Sequence, residues 1–160
     1  MDALDATGTA IYRSETRRVA VEVIYSDGTV LAGDVYLQPN TMLTEGFESL
    51  LELLNRPDSF FAMTIERKQV VLLCKEHVAV VACALENRKR DDDFPGTITE
   101  LDVWLAGGGR YQGTATWQLP PAHSRPLDFL NTVGRFLEIS DESYSRYINV
   151  GHVRAVYPGD

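Results

Sequence analysis

Leu51-Glu52-Leu53-Leu54-Asn55 and Leu127-Asp128-Phe129-Leu130-Asn131 spell one short pattern twice, and their surroundings repeat with them. Upstream, Val21-Glu22-Val23 answers to Leu101-Asp102-Val103, Gly28 to Gly108, Gly33 to Gly113, and Leu37-Gln38 to Trp117-Gln118, all at one constant spacing. Downstream, Phe60 answers to Phe136 and Met63 to Ile139. After the loss of one residue, His77-Val78-Ala79-Val80-Val81 answers to His152-Val153-Arg154-Ala155-Val156. A marker order kept through both halves predicts a tandem duplication. The alternative is a single mixed domain whose hairpins share turn chemistry.

Each copy reads as hairpin, short helix, hairpin. Val19, Val21, Val23 and Tyr25 alternate with their neighbours, which is the period of a strand. Asp27-Gly28 then predicts a hairpin of the type I′ kind, with positive φ at both central residues. The return strand runs over residues 29–38, and Gly33 within it marks a bulge or a close backbone approach. Phe47, Leu50, Leu51 and Leu54 share one face of a helix of two or three turns, which Pro57 stops. Asn55, at its end, suits a left-handed cap. Strands over residues 59–66 and 69–85 follow, the second broken near Lys75-Glu76. Val70 to Leu73 lacks alternation and so predicts burial on both faces.

The second half repeats this plan. Strands run over residues 101–105 and 110–118, with Gly107-Gly108-Gly109 at the turn. A helix follows, capped by Ser124 with Pro126 in its first turn. Strands over residues 135–139 and 144–157 end the chain. The fold class is therefore mainly β with short helices, an α+β chain. Two tandem hairpin-helix-hairpin modules pack as a pseudo-twofold sandwich or barrel-like body. The divisions are a mobile N-terminus at 1–16, a first β module at 17–85, a charged linker at 86–100 and a second β module at 101–157. Modules this small are marginal alone, so each is expected to need the other.

Composition narrows the function. The chain has 160 residues, 44% of them hydrophobic and 24% charged, as in an ordinary soluble globular protein. A net charge of −8 argues against nucleic acid and anionic lipid as broad partners. Arg88-Lys89-Arg90 stands beside Asp91-Asp92-Asp93, which neutralises it. Cys74 and Cys83 form no CxxC pair and read as buried thiols. The first ten residues lack the basic and apolar regions of a secretory signal. No apolar run approaches the ~20 residues that span a bilayer. A cytoplasmic protein without membrane insertion is expected.

No catalytic residue, metal site or cofactor is assigned. His77 and His152, matched in the two copies, are the candidate site at the seam between modules. A metal usually takes three or four ligands, and no further matched ligand accompanies them. A histidine after a strand bend that hydrogen-bonds the backbone is the simpler reading. The carboxylates Glu52 and Asp128 read as first-turn or solvent-facing groups. Gly107-Gly108-Gly109 precedes no helix and no Lys-Ser/Thr, so it reads as a hairpin turn, not a phosphate loop. The second half carries Trp and Tyr with arginine as its only base, the mixture enriched at protein interfaces. Trp104, Arg110, Tyr111 and Arg146 are the binding candidates.

The Asp27-Gly28 hairpin, the Leu-Glu-x-Leu-Asn helix and the His77-Val78 strand resemble small bacterial β modules of uncharacterised function. The strand-bend-strand layout also resembles Sm-like small barrels, which place their helix first, whereas here it lies between the hairpins. That resemblance implies RNA binding through an Sm-like face, a reading that the acidic balance disfavours. The preferred function is a non-enzymatic protein-interaction or scaffold module. Its partner is a protein, a second copy of the chain included, because an unpaired strand edge can add to a neighbour. The rival is a small-molecule, metal or enzymatic site at the seam.

Overall fold

A computed structural model describes residues 16–39, 46–85 and 96–159. The N-terminal stretch before residue 16 and the charged cluster of residues 88–93 lie outside the described residues. Among the described residues ten strands carry the fold: β1 (Arg17–Tyr25), β2 (Val30–Leu37), β3 (Phe60–Thr64), β4 (Val70–Cys74) and β5 (Val78–Ala84), then β6 (Thr97–Leu105), β7 (Arg110–Trp117), β8 (Phe136–Ser140), β9 (Tyr144–Asn149) and β10 (Val153–Pro158). Two short helices, α1 (Leu50–Leu54) and α2 (Pro126–Leu130), follow β2 and β7. Thr97 already belongs to β6, so the strand takes in residues that charge pattern alone assigns to the linker.

Both first hairpins turn as expected, by a different turn. Tyr25 N–H donates to Thr29 O, Gly28 N–H to Tyr25 O, and only Gly28 has positive φ, at 90°. That is a three-residue loop closed by a glycine bulge, not type I′. The same bonds recur at Leu105, Gly108 and Gly109, with Gly108 at φ 102°. Ser49 caps α1: its Oγ accepts from Glu52 N–H at 3.0 Å while the Glu52 carboxylate accepts from Ser49 N–H at 2.8 Å. The helix is one short turn, and Phe47 lies before it in a bridge with Pro39. Arg125, not Ser124, is the cap of α2; the Ser124 hydroxyl donates to Pro121 O instead.

The strands form one antiparallel sheet in the order β10-β6-β7-β8-β9-β5-β1-β2-β3-β4. It does not close into a barrel. The registers of the two halves coincide pair for pair. Arg17↔Leu37 of β1–β2 matches Thr97↔Trp117 of β6–β7, and Ile24↔Val30 matches Trp104↔Arg110. Phe60↔Cys74 of β3–β4 matches Phe136↔Asn149 of β8–β9. The irregularity in β1–β5 at Tyr25↔Val78 recurs in β6–β10 at Leu105↔Val153. The single pair Asp34↔Thr64 that joins β2 to β3 recurs as Thr114↔Ser140.

At those single-pair joins the backbones approach closely, and glycine permits it. A Cβ on Gly33 would stand 2.4 Å from Thr64 O, and one on Gly113 3.0 Å from Ser140 O. Gly33 is thus a close backbone approach, one of the two roles expected of it.

The expected twofold is replaced by another arrangement. A twofold through the middle of the sheet would bring like strands together. The middle joint instead pairs β9 with β5, which stand at different places in the two strand runs. Two cores result. One gathers Val21, Val23, Val35, Leu37, Leu54, Met63 and Leu73 with Phe136 and Tyr147 from the second half. The other gathers Leu101, Val103, Ala115, Trp117, Leu137, Ile139 and Ile148 with Ala79 and Val80 from the first. Strand β5 is buried on both faces because it lies between them. The two-sided burial expected for Val70 to Leu73 is absent: Val70 is 58% and Leu72 68% exposed, because β4 is an edge strand.

Candidate interaction surfaces

The joint between β9 and β5 shows what this chain uses to hold one strand run to another. Its ladder runs from Val80↔Ile148 to Ala84↔Tyr144. Three side chains fasten it. The buried Asn149 donates from Nδ2 to Lys75 O at 2.9 Å and Val78 O at 2.8 Å, while its Oδ1 accepts from Gly151 N–H. Asn55, at the end of α1, accepts from Phe136 N–H at 2.7 Å and donates to Phe136 O at 3.3 Å. Its backbone, at φ −91° and ψ 4°, is not the left-handed cap that its position suggested. His152 Nε2 lies 2.7 Å from Glu76 O.

The two candidate histidines are therefore structural in part. Each follows a strand end in a tight 3₁₀ turn, Lys75–His77 and Val150–His152. Each main-chain carbonyl accepts from a hairpin: His77 O from Ser26 N–H and His152 O from Ala106 N–H. The His152 ring meets the main chain beside His77, whereas His77 itself is exposed. Among the described residues no cluster of three or more His, Cys, Asp and Glu could hold a metal. Lys75, in the same turn, is buried and donates from Nζ to Arg56 O at 2.9 Å. Burial, and then the nearby Arg135 charge, push its ammonium below the ordinary lysine range.

The four binding candidates fall into two groups on opposite faces of the β6–β7 hairpin, because Trp104 pairs with Arg110 and Val103 with Tyr111. On one face the Arg110 guanidinium lies 5.0 Å over the Trp104 ring and is bidentate to Asp102 at 2.8–3.2 Å. Tyr157 meets the edge of Trp104 at 5.8 Å. Arg110 holds the Asp102 carboxyl below the usual range. On the other face Arg146 lies 5.6 Å from the Tyr111 ring and 5.2 Å from Tyr144. Its partner Asp141 is held at about 2 by Arg146. Both arginines are thus already paired within the chain, each against an aromatic ring.

The surface that sequence reading missed is apolar. Phe60, Val70 and Leu72 on β3 and β4 are 56%, 58% and 68% exposed. Across Ala62↔Leu72 and Thr64↔Val70 the register places them on one face of the sheet's end. At the other end Tyr157 of β10 and Leu127 of α2 are exposed. Lack of alternation in Val70 to Leu73 was the available signal, but an apolar run does not tell an edge from a centre. Among the described residues no helix is long and apolar enough to cross a membrane. Compared with known proteins, the chain matches no family model, no curated protein and no solved structure.

Proposed function

We propose that this chain is a non-enzymatic protein-interaction scaffold of two tandem modules, residues 17–85 and 101–157. The observation that carries the reading is the apolar edge at β4: among the described residues, Phe60, Val70 and Leu72 are exposed beside a strand whose outer hydrogen-bonding groups face no neighbour in the sheet. Such an edge accepts an added strand, with main-chain bonds giving affinity and alternate side chains giving specificity. The pairwise identity of registers supports duplication over chance similarity of turns. The seam between the halves is filled by Phe136, Tyr147 and Asn149, which favours a structural joint over a ligand cleft.

A photo-crosslinking residue placed at Leu72 in the full chain, in cells, tests this. It should give discrete protein adducts that the same residue at the exposed Thr116 on β7 does not. No adduct at Leu72, or the same adducts at both positions, would overturn the reading.

A further inference from the structure

We infer that the partner of the β4 edge is β10 of a second copy of this chain, docked through the joint that β9 and β5 already make inside it. The inference rests on the scaffold reading above and names its partner.

The internal joint is heterologous, fourth strand of one run to fifth strand of the other, so it leaves an unused fourth strand, β4, at one end of the sheet and an unused fifth strand, β10, at the other. Two of the three fastening residues come in matched pairs of which one member is idle. Asn55 holds the Phe136 main chain, whereas its match Asn131 is exposed, and so is Phe60, the match of Phe136. His152 reaches Glu76 O, whereas its match His77 is exposed, and so is Gly151, the match of Glu76. Asn131 and Gly151 belong with β10, and Phe60 and His77 with β4. One docking event therefore engages every idle partner.

Burial follows the same rule. Phe136 and Tyr147 are 1% and 4% exposed because the first core covers them, while their matches Phe60 and Leu72 are 56% and 68% exposed. Conversely, Leu50, Leu53 and Leu54 of α1 are buried, and their matches Pro126, Phe129 and Leu130 of α2 are only half-buried. Each end of the sheet lacks the cover that the other end supplies in the middle. Transposing the internal register pairs Leu72 with Val156, Leu73 with Ala155 and Val71 with Tyr157 of the second copy. Charge does not oppose this. Residues 21–85 carry nine acids and four bases, whereas residues 101–156 carry five of each.

Two differences make the joint between chains weaker than the one within. Cys74 stands where Asn149 stands, so the clamp on two carbonyls is missing. Pro158 stands where Cys83 stands. Gly159 N–H bonds Glu100 O on β6, so by alternation the missing Pro158 N–H faces outward, and one ladder bond is lost. The assembly should be reversible and, being heterologous, should close as a ring or run as a filament.

Two edge variants test the proposal by complementation. L72K charges the β4 edge and leaves β10 intact. V156P removes an outward N–H from β10, spares its bonds to β6 and leaves β4 intact. Measured by sedimentation at concentrations on the order of 100 µM, the native chain should assemble and each variant alone should be monomeric. Their mixture should form a heterodimer and nothing larger, which also shows that both variants fold. Cys74→Asn should tighten assembly about tenfold by restoring the clamp. Self-association of V156P would overturn the proposal in favour of a symmetric β4 contact. A native chain that stays monomeric while Leu72 still crosslinks another protein would overturn it and leave the scaffold reading standing. A monomer without Leu72 adducts would remove both.

Discussion

Replacing Asn149 by alanine should cost about 3–4 kcal/mol of stability, from three lost bonds at about 1 kcal/mol each and the desolvation of what they leave behind. The side chain is 4% exposed and holds Lys75 O, Val78 O and Gly151 N–H. Water has little access to the first two carbonyls, because Lys75 and Val78 are themselves buried. Loss of the side chain therefore removes bonds without replacing them, which puts this substitution above the ~0.5–3 kcal/mol that most single substitutions cost. Urea denaturation followed by tryptophan fluorescence measures it, since Trp104 and Trp117 both lie in the second half. The midpoint should fall sharply. Because the residue ties β9 to the turn before β5, the variant is also expected to lose coincidence between fluorescence and far-ultraviolet circular dichroism as the halves uncouple. A loss under about 1 kcal/mol with coincident transitions would refute the idea that this asparagine fastens the two strand runs.

Three further substitutions bear on the same joint and its surroundings. Asn55→Ala should cost about 1–3 kcal/mol, while Asn131→Ala should change the monomer by less than about 0.5 kcal/mol, because only the first grips a main chain; equal losses by urea denaturation would contradict the assignment. Gly33→Ala should cost about 2–3 kcal/mol in the same assay, because its Cβ would press Thr64 O at the one pair linking β2 to β3; a neutral result would mean that the fold there has slack. Asp141 is held at about 2 by Arg146, below its ordinary value of 3.8. Its contribution is therefore complete above about pH 4 and lost as pH falls through about 2. Asp141→Asn should flatten melting temperature across that window, at a cost below about 1 kcal/mol near neutrality because the pair is half-exposed; parallel acid limbs for both proteins would contradict it.

Local chemistry was legible in the chain. Asp27-Gly28 and the three glycines from Gly107 marked both hairpins, and the Leu-acid-x-Leu-Asn pattern marked both helices. Gly33 announced the close approach between strands. Residues matched in sequence also fall at matched places in register, as Arg17↔Leu37 and Thr97↔Trp117 do. What stayed hidden was long-range. Nothing local distinguishes a run such as Val70 to Cys74, which ends the sheet, from Val78 to Ala84, which lies at its centre. Asn149 was not legible as a fastening residue because the first half has Cys74 at that place, so no repeated residue marks the clamp it makes on the Lys75 and Val78 carbonyls. Asn55 and His152 were visible as matched residues. The backbone hydrogen bond expected of the histidines is made by His152; which main chain each residue grips was not legible, because it lies far away in sequence, and only one of each pair is in use.

Engineered cysteines report whether the internal joint is reused between chains. In the C74S/C83S background, Val71→Cys is placed in one preparation and Tyr157→Cys in another, matching the internal pair Arg146↔Ala82. Oxidation of the mixture should yield a disulfide-linked pair joining one chain of each kind, with little product from either preparation alone. Mass spectrometry of the peptides joined through the two introduced thiols identifies it. Crosslinking within each preparation but not between them would contradict a head-to-tail joint, and so would no crosslink at a concentration where the chain self-associates.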